Sequence, residues 1–141
     1  MTRALRVLLV DDNPGDADLT RDTLEDGPHL LEIAVVVDGA EAVDYLLRRG
    51  THRAAPTPDL VLLDLNLPRI DGAAVLAEIQ RHDTLRTIPV VVWTSSDAEH
   101  DIARSYALGA RCFVTKPFEL GKFQARVRAI EQFWFDVAKL P

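Results

Sequence analysis

Five polar residues of the 141-residue chain are of types that could do chemistry together: Asp11, Asp12, Asp64, Thr94 and Lys116. Each lies at, or just beyond, the carboxyl end of a short apolar run. Three carboxylates in one cleft would repel one another by roughly 4 kcal/mol per pair near a protein surface, so a divalent cation is expected to offset that repulsion. Mg2+ or Mn2+ suits such oxygen ligands. The pattern predicts a cation-dependent site in which Lys116 supplies a further positive charge.

The apolar runs before these residues are typical of parallel strands covered on both faces, because they lack the alternation of a half-exposed strand. In chain order the predicted strands are Leu5–Val10, Ile33–Val37, Leu60–Leu63, Val90–Trp93 and Cys112–Val114. A helical pattern follows each one. We therefore predict an α/β, flavodoxin-like, doubly wound (βα)5 fold with a central five-stranded parallel sheet in the order 2-1-3-4-5. Ligands of such folds bind at the carboxyl ends of the strands, where the polar residues would meet.

Capping signals mark two helix starts. Asn13-Pro14 predicts an N-cap residue followed by proline at the first helical position. Ser96, followed by Glu99, predicts a capping box for the fourth helix. The last helix is predicted from apolar residues at helical spacing, which are Phe123, Val127, Ile130, Trp134 and Val137.

Length and composition favour one soluble domain spanning 1–141, with 48% hydrophobic residues to fill a core. No apolar run approaches the roughly 20 residues needed to cross a bilayer, so no membrane association is expected. The net charge of −6 argues against nucleic acid as a direct partner. Met1–Arg3 lead into the first strand without a signal peptide, and Cys112 is the single cysteine. Both features predict a cytoplasmic protein without an internal disulfide.

The motifs at the strand ends resemble those of the response regulator receiver domain of two-component systems. The resembling stretches are Asp11-Asp12, Leu62–Pro68, Thr94-Ser95 and Lys116-Pro117, and the resemblance covers almost the whole chain. It implies that Asp64 accepts a phosphoryl group from a sensor histidine kinase. It also implies a Mg2+ site with Asp12 and Asp64 as direct ligands. Asp11 would act mainly through a bound water, and Asn66 would contribute its main-chain carbonyl.

The resemblance implies further roles around the phosphoryl group. Lys116 would pair with one phosphoryl oxygen, and Thr94 would hydrogen-bond another. The peptide bond before Pro117 would be cis, which orients the lysine. Phe113 falls at the position of the family's switch aromatic, so Thr94 and Phe113 are the expected switch residues. Such a protein signals, and it catalyses only its own phosphorylation and dephosphorylation.

Three stretches are similar to a narrower subgroup, the stand-alone receivers that pair with phytochrome-type histidine kinases. These stretches are Asp11–Ala17, Leu63–Arg69 and Ile130–Trp134. The resemblance implies a bacteriophytochrome or related kinase as partner. Output would then come from phosphorylation-dependent protein contacts.

The carboxyl-terminal stretch 131–141 is rich in aromatic residues. Phe133, Trp134 and Phe135 are consecutive, so on a helix they point in three directions and only one or two can face the core. One interpretation is a helix end that packs back on its own domain. The other, which we favour, is a homodimer surface, because concentrated exposed aromatics are typical of interfaces.

Alternatives to a phosphorylated receiver remain open. A phosphatase of the haloacid-dehalogenase type needs a second aspartate two residues after the nucleophile, where this chain has Asn66. A flavin or nucleotide binder would want a glycine-rich phosphate loop where the chain has Asp11-Asp12. A degenerate receiver would act as a phosphorylation-independent dimeric module. The histidines, interpreted as surface residues without metal-ligand or triad spacing, are His29, His52, His82 and His100.

Overall fold

The computed structural model describes residues 3–141 and confirms the predicted architecture, and residues 1–2 of the predicted domain lie outside the described range. Five parallel strands form one sheet in the order β2-β1-β3-β4-β5. The strands are β1 (Leu5–Val10), β2 (Leu31–Val36), β3 (Leu60–Leu63), β4 (Val90–Thr94) and β5 (Cys112–Thr115). The helices are α1 (Pro14–Glu25), α2 (Gly39–Leu47), α3 (Gly72–Gln80), α4 (Glu99–Ala107) and α5 (Leu120–Gln132). Among residues 3–141, no helix has the length and apolar character to span a membrane.

The three central strands, β1, β3 and β4, are largely buried, as their uninterrupted apolar runs predict, whereas the edge strands β2 and β5 are mostly half-buried. On one face, α1 and α5 pack through Leu24, Phe123 and Val127. On the other face, α2 and α3 pack through residues such as Leu46 and Ile79. The sheet is thereby the middle of three layers, with helices packed on both of its faces.

Strand register brings the polar strand-end residues to one edge of the sheet. The backbone N–H of Asp64 donates to the carbonyl of Val10 at 2.9 Å, which continues the pairing of β3 with β1. The N–H of Lys116 donates to the carbonyl of Thr94 at 2.7 Å, which continues the pairing of β5 with β4. Backbone hydrogen bonding therefore fixes the positions of these residues before any side-chain contact is considered.

Strand β2 begins two residues earlier than predicted, at Leu31 rather than Ile33, because Leu31 and Glu32 pair with the first two residues of β1. The N-cap prediction at Asn13 is confirmed, since its side chain accepts a hydrogen bond from the Asp16 N–H at 3.0 Å. The capping-box prediction at Ser96 is wrong. Helix α4 has Ala98 as its N-cap residue, without a side-chain hydrogen bond.

The Ser96 hydroxyl instead donates to the carboxylate of Asp101 at 2.5 Å, inside the first turns of α4. This hydrogen bond lowers the pKa of Asp101. The helix start is tied to the preceding loop through Asp101 rather than through a cap on the backbone N–H groups. A serine three residues before a glutamate is thus not sufficient for a capping box when the chain between them is extended.

The carboxyl-terminal segment is held against the domain by a half-buried histidine that contacts two carboxylates, an arrangement that was not predicted from the sequence. After α5 the chain makes a π-helical turn, Phe133–Val137. His29 contacts Glu131 through Nδ1 at 2.8 Å and Asp136 through Nε2 at 2.7 Å. Glu131 is only 2% exposed, and the ring of Phe135 packs against His29 at 5.5 Å. The interpretation of His29 as an ordinary surface residue is wrong, because the fold brings carboxylates from distant positions onto both of its ring nitrogens.

His29 makes the stability of this segment dependent on pH. The hydrogen bond to Glu131 raises the pKa of His29 against the opposing effect of burial, and Asp136 raises it further. A histidine with a raised pKa stabilises the folded state fully below its unfolded pKa, which is about 6.5, and this stabilisation is lost as pH rises through the folded value. We expect His29→Gln to lower the free energy of unfolding by about 1–2 kcal/mol at pH 6 and by much less at pH 9.

Urea unfolding of the wild type and of His29→Gln at pH 6 and pH 9 measures this difference. His82→Gln is the matched control, because His82, just after the end of α3, pairs with the nearby Glu78 of that helix rather than with a distant segment. Parallel pH profiles for the wild type and His29→Gln would contradict the assignment.

Candidate functional site

Three carboxylates lie together at the carboxyl edge of the sheet. One carboxylate oxygen from each of Asp11, Asp12 and Asp64 lies within 4.8 Å of the others. Asp11 and Asp64 are buried, with 1% and 6% of their surface exposed, whereas Asp12 is exposed. The cluster therefore has two buried members and one that opens to solvent.

Lys116 enters this cluster from β5. Its ammonium nitrogen Nζ lies 2.7 Å from Asp11 Oδ2 and 3.0 Å from Asp64 Oδ2. The lysine is itself buried. A buried ammonium between two buried carboxylates offsets part of the repulsion between them, and each group would be costly to bury alone.

The second oxygen of Asp64 is held by two neutral donors. The Thr94 hydroxyl donates to Asp64 Oδ1 at 2.7 Å, and the backbone N–H of Asn66 donates to the same oxygen at 3.1 Å. The Thr94 side chain is fully buried. Asp64 is thus fixed in orientation by donors on both of its oxygens, one of them the Thr94 hydroxyl.

The protonation of the buried pair follows from its surroundings. Burial raises the pKa of Asp11, although the hydrogen bond and charge of Lys116 and the N–H of Asn13 act in the opposite direction. Burial lowers the pKa of Lys116, but the hydrogen bond and charge of Asp11, together with the charge of Asp64, outweigh it and the pKa is raised. Lys116 accordingly stays cationic at neutral pH.

The donor set fits a divalent cation with oxygen ligands. Mg2+ and Mn2+ favour carboxylates and backbone carbonyls over nitrogen and sulfur. Asp11, Asp12 and Asp64 could offer one oxygen each, and the exposure of Asp12 leaves a path from solvent. The backbone N–H of Asn66 already faces Asp64, and its exposed side chain takes no part in the cluster.

Close backbone packing sets the turn after Asp64. A Cβ atom on Gly72 would lie 2.4 Å from the Asp64 carbonyl oxygen and 2.6 Å from Leu65 Cα. Only glycine lets the start of α3 approach the strand end so closely. The Asp71 side chain caps α3 by accepting from the Ala74 N–H at 2.9 Å. The chain leaving β3 is therefore fixed within a few residues of Asp64.

The family resemblance also named Phe113 and the peptide bond before Pro117, neither of which belongs to the acidic cluster. Phe113 is half-buried in β5 at the edge of the core, and its backbone N–H donates to the Tyr106 hydroxyl at 3.1 Å. The expectation of a cis bond before Pro117 is wrong, because residues 3–141 contain no cis peptide bond. The trans form is the intrinsically favoured isomer of a bond to proline.

One carboxylate near Lys116 was not assigned to the site from the sequence. Asp16 Oδ2 lies 3.1 Å from Lys116 Nζ, so a third carboxylate touches the ammonium. The available signal was the position of Asp16 in the first turn of α1, directly after the acidic loop. That position predicts only a favourable interaction between the carboxylate and the helix dipole. The contact with Lys116 becomes visible only in the folded structure.

Together these groups can support nucleophilic attack by a carboxylate on a phosphorus centre. The Asp64 carboxylate is held in one orientation, as a nucleophile would have to be, and Lys116 and Thr94 are donors beside it. Phosphoryl transfer needs little beyond an in-line nucleophile and positive charge on the transferred oxygens. The site has both without a dedicated general base.

Comparison with known proteins agrees with this geometry. The family model of the response regulator receiver domain matches residues 7–128. The chain therefore belongs to the response regulator receiver family. It is 40% identical over 135 residues to response regulator Rcp1 of Synechocystis sp., with 96% of this chain and 92% of that protein covered.

Two solved structures are similar over nearly their full length. One is the phosphorylated cyanobacterial phytochrome response regulator RcpA, at 43% identity and a TM-score of 0.95, with 99% of each chain covered. The other is the Mn2+-bound form of Rcp1, at 39% identity and a TM-score of 0.93, with 97% of this chain and 99% of that chain covered. The similarity to the phytochrome response regulator subgroup is thus confirmed, with the same fold.

Proposed function

We propose that this chain is a single-domain response regulator that accepts a phosphoryl group from a histidine kinase onto Asp64. The observation that carries the proposal is the convergence on Asp64 of the Thr94 hydroxyl, the Lys116 ammonium and the two neighbouring aspartates. Asp11 also has a donor on each oxygen, but within this cluster only Asp64 contacts both the lysine and the threonine. This makes Asp64 the oriented nucleophile of the site.

In the reaction, a carboxylate oxygen of Asp64 forms a bond to phosphorus while the bond from phosphorus to the donor nitrogen breaks. Lys116 and Thr94 are then within reach of the new phosphoryl oxygens, because both already contact the carboxylate. Mg2+, or Mn2+, held by Asp11, Asp12, Asp64 and the carbonyl of Asn66, would neutralise negative charge on the transferred group. Each chain is thereby phosphorylated once, on its own Asp64, and does not turn over a separate substrate.

Signalling would follow from the added charge. A phosphoryl group adds negative charge and acceptor oxygens beside Thr94, at the end of β4. Thr94 is followed by the loop to α4, and Phe113 lies in the adjacent β5. If Thr94 shifts toward a phosphoryl oxygen, the loop and the half-buried Phe113 ring would change from one preferred conformation to another.

Incubation with acetyl phosphate and Mg2+, followed by intact mass spectrometry, tests the proposal. We expect the mass of one phosphoryl group to be gained, and no gain when Mg2+ is chelated. Absence of any gain with several donors, under conditions in which Mg2+ binds, would favour a degenerate receiver acting without phosphorylation. Multiple turnover of a phosphate ester would favour the phosphatase alternative.

The partner is proposed from the relatives. RcpA is described as a cyanobacterial phytochrome response regulator, and it covers 99% of this chain at 43% identity. A phytochrome-type histidine kinase is therefore the proposed phosphodonor, with both proteins in the cytoplasm. The acidic chain, with a net charge of −6, is not expected to bind nucleic acid directly.

We also propose that the chain forms a homodimer through its aromatic carboxyl-terminal segment. Trp134 and Phe135 pack partly against their own core, which leaves Phe133 50% exposed. Phe133 and Trp134 are in edge-to-face contact at 5.2 Å, and they line an apolar groove of about 320 Å3 with Cys112, Val114 and Ile130. A second copy of the chain would cover this groove, because aromatic residues are enriched at interface cores.

Sedimentation equilibrium measures the association directly. We expect a dimer, and we expect Trp134→Ala to raise the dissociation constant by about tenfold or more, since aromatic anchors often contribute over about 1.4 kcal/mol. Val37→Ala, at an exposed apolar position outside this segment, is the control. A wild-type chain that stays monomeric at high micromolar concentration would refute the dimer.

A further inference from the structure

The ammonium of Lys116 contacts one carboxylate more than the proposed reaction needs. Besides Asp11 and Asp64, it contacts Asp16 Oδ2 at 3.1 Å. Asp16 lies on α1, outside the group of three carboxylates that could share a cation. The lysine is thus held between the acidic cluster and a separate carboxylate.

The local structure keeps Asp16 in this position. Its backbone N–H donates to the Asn13 cap at 3.0 Å, so it belongs to the first turn of α1. A carboxylate there is stabilised by the positive end of the helix dipole. Asp16 and Lys116 both line an open cleft of about 390 Å3, and the Asp16 side chain is 36% exposed. Its charge is therefore partly screened by solvent but still faces molecules that enter the cleft.

The contact limits what Lys116 can do for an incoming phosphoryl group. An ammonium has three N–H donors, and three carboxylates are in contact with this one. Transfer onto Asp64 changes the acceptor at one of these contacts into a phosphoryl-bearing group. Asp16 undergoes no such change, so it continues to compete for Lys116, and its charge repels an anionic phosphodonor.

We propose that Asp16 is a positioning residue that restrains Lys116 and slows phosphorylation of Asp64 by anionic donors. The inference rests on the proposed function. It assigns Asp16 a role through Lys116, without contact to the phosphorus centre. With Asp16 in place, Asp64 is phosphorylated more slowly than it would be if Lys116 were not restrained.

The rate of phosphorylation by acetyl phosphate and Mg2+, followed by intact mass over a range of ionic strengths, tests the proposal. We expect Asp16→Asn to be phosphorylated about three- to tenfold faster than the wild type at low salt, as for one like charge removed at close range. The part of this gain that comes from repulsion of the donor should shrink near 1 M salt, where the Debye length is about 3 Å. The part that comes from releasing the buried Lys116 ammonium should persist, because salt screens a buried contact much less. Asp18→Asn is the matched control, because it removes the same charge from the same helix and pairs only with Arg21 among the described contacts.

Each outcome separates the inference from the proposed function. A rate for Asp16→Asn that is no faster than for Asp18→Asn, or a gain in rate that disappears entirely at 1 M salt, would overturn the restraint of Lys116 by Asp16 while leaving Asp64 as the acceptor. A wild type and variant that both take no phosphate would refute the proposed function and this inference together. A purely structural role for Asp16 would change the melting temperature without a gain in rate.

Discussion

Asp64→Asn is expected to abolish phosphorylation by acetyl phosphate, with no mass gain above the donor-free background. The substitution replaces the nucleophilic carboxylate with an amide of the same shape. The carbonyl oxygen of that amide could still accept from the Thr94 hydroxyl and from the N–H of Asn66, as Oδ1 of Asp64 does. The amide nitrogen would replace Oδ2, which accepts from Lys116, but Lys116 keeps Asp11 and Asp16 as partners and the repulsion among the carboxylates falls, so the fold should persist.

The same variant should bind Mg2+ about tenfold more weakly or worse, since loss of a direct ligand costs at least as much as loss of a supporting residue. Intact mass and Mg2+ titration, with circular dichroism to confirm folding, measure the two effects. Asp18→Asn controls for removal of one surface charge. Wild-type levels of phosphorylation in a folded Asp64→Asn variant would place the acceptor elsewhere.

Lys116→Ala is expected to have a large effect on both stability and reactivity. Without the ammonium, Asp11 and Asp64 remain buried without a cationic partner. Breaking a buried ion pair by removing one partner costs about 3–5 kcal/mol in the free energy of unfolding. Phosphorylation should fall about 100-fold or more, as expected for loss of one charged donor beside the transferred group.

The loss of stability in Lys116→Ala should depend on conditions. Burial already raises the pKa of Asp11, and loss of Lys116 removes the contacts that oppose this rise. The destabilisation should therefore shrink as pH falls and the carboxyl groups become protonated, and also when Mg2+ is added. Urea unfolding with and without Mg2+ measures it, and Lys122→Ala, an exposed lysine of α5, is the control. A loss that is equal in all conditions would contradict an electrostatic cause.

The fold and the converging residues could be predicted from the sequence because both follow from local patterns. Apolar runs without alternation indicate buried parallel strands, and residues at their carboxyl ends must meet at one edge. The meeting of Asp64, Thr94 and Lys116 depends only on that rule and on strand order. Their separations then follow from backbone pairing, as the hydrogen bond from the Lys116 N–H to the Thr94 carbonyl shows.

Contacts between distant helices and loops could not be predicted in the same way. His29 meets Glu131 and Asp136 because of how α5 packs beside α1, and no local spacing reports that packing. The reach of Asp16 to Lys116 joins positions 100 residues apart. The capping-box prediction at Ser96 was wrong for a different reason. The local motif is present, but the helix begins after Ala98 and the Ser96 hydroxyl donates to Asp101 instead.

The most direct test of the central claim is to locate the phosphoryl group chemically. Borohydride reduction of the phosphorylated chain converts an aspartyl phosphate to homoserine, which peptide mass spectrometry then assigns to a position. We predict homoserine at position 64 alone, formed only in samples that received both donor and Mg2+. Homoserine at position 11, 12 or 16, or its absence from a chain that has gained a phosphate, would show that Asp64 is not the acceptor.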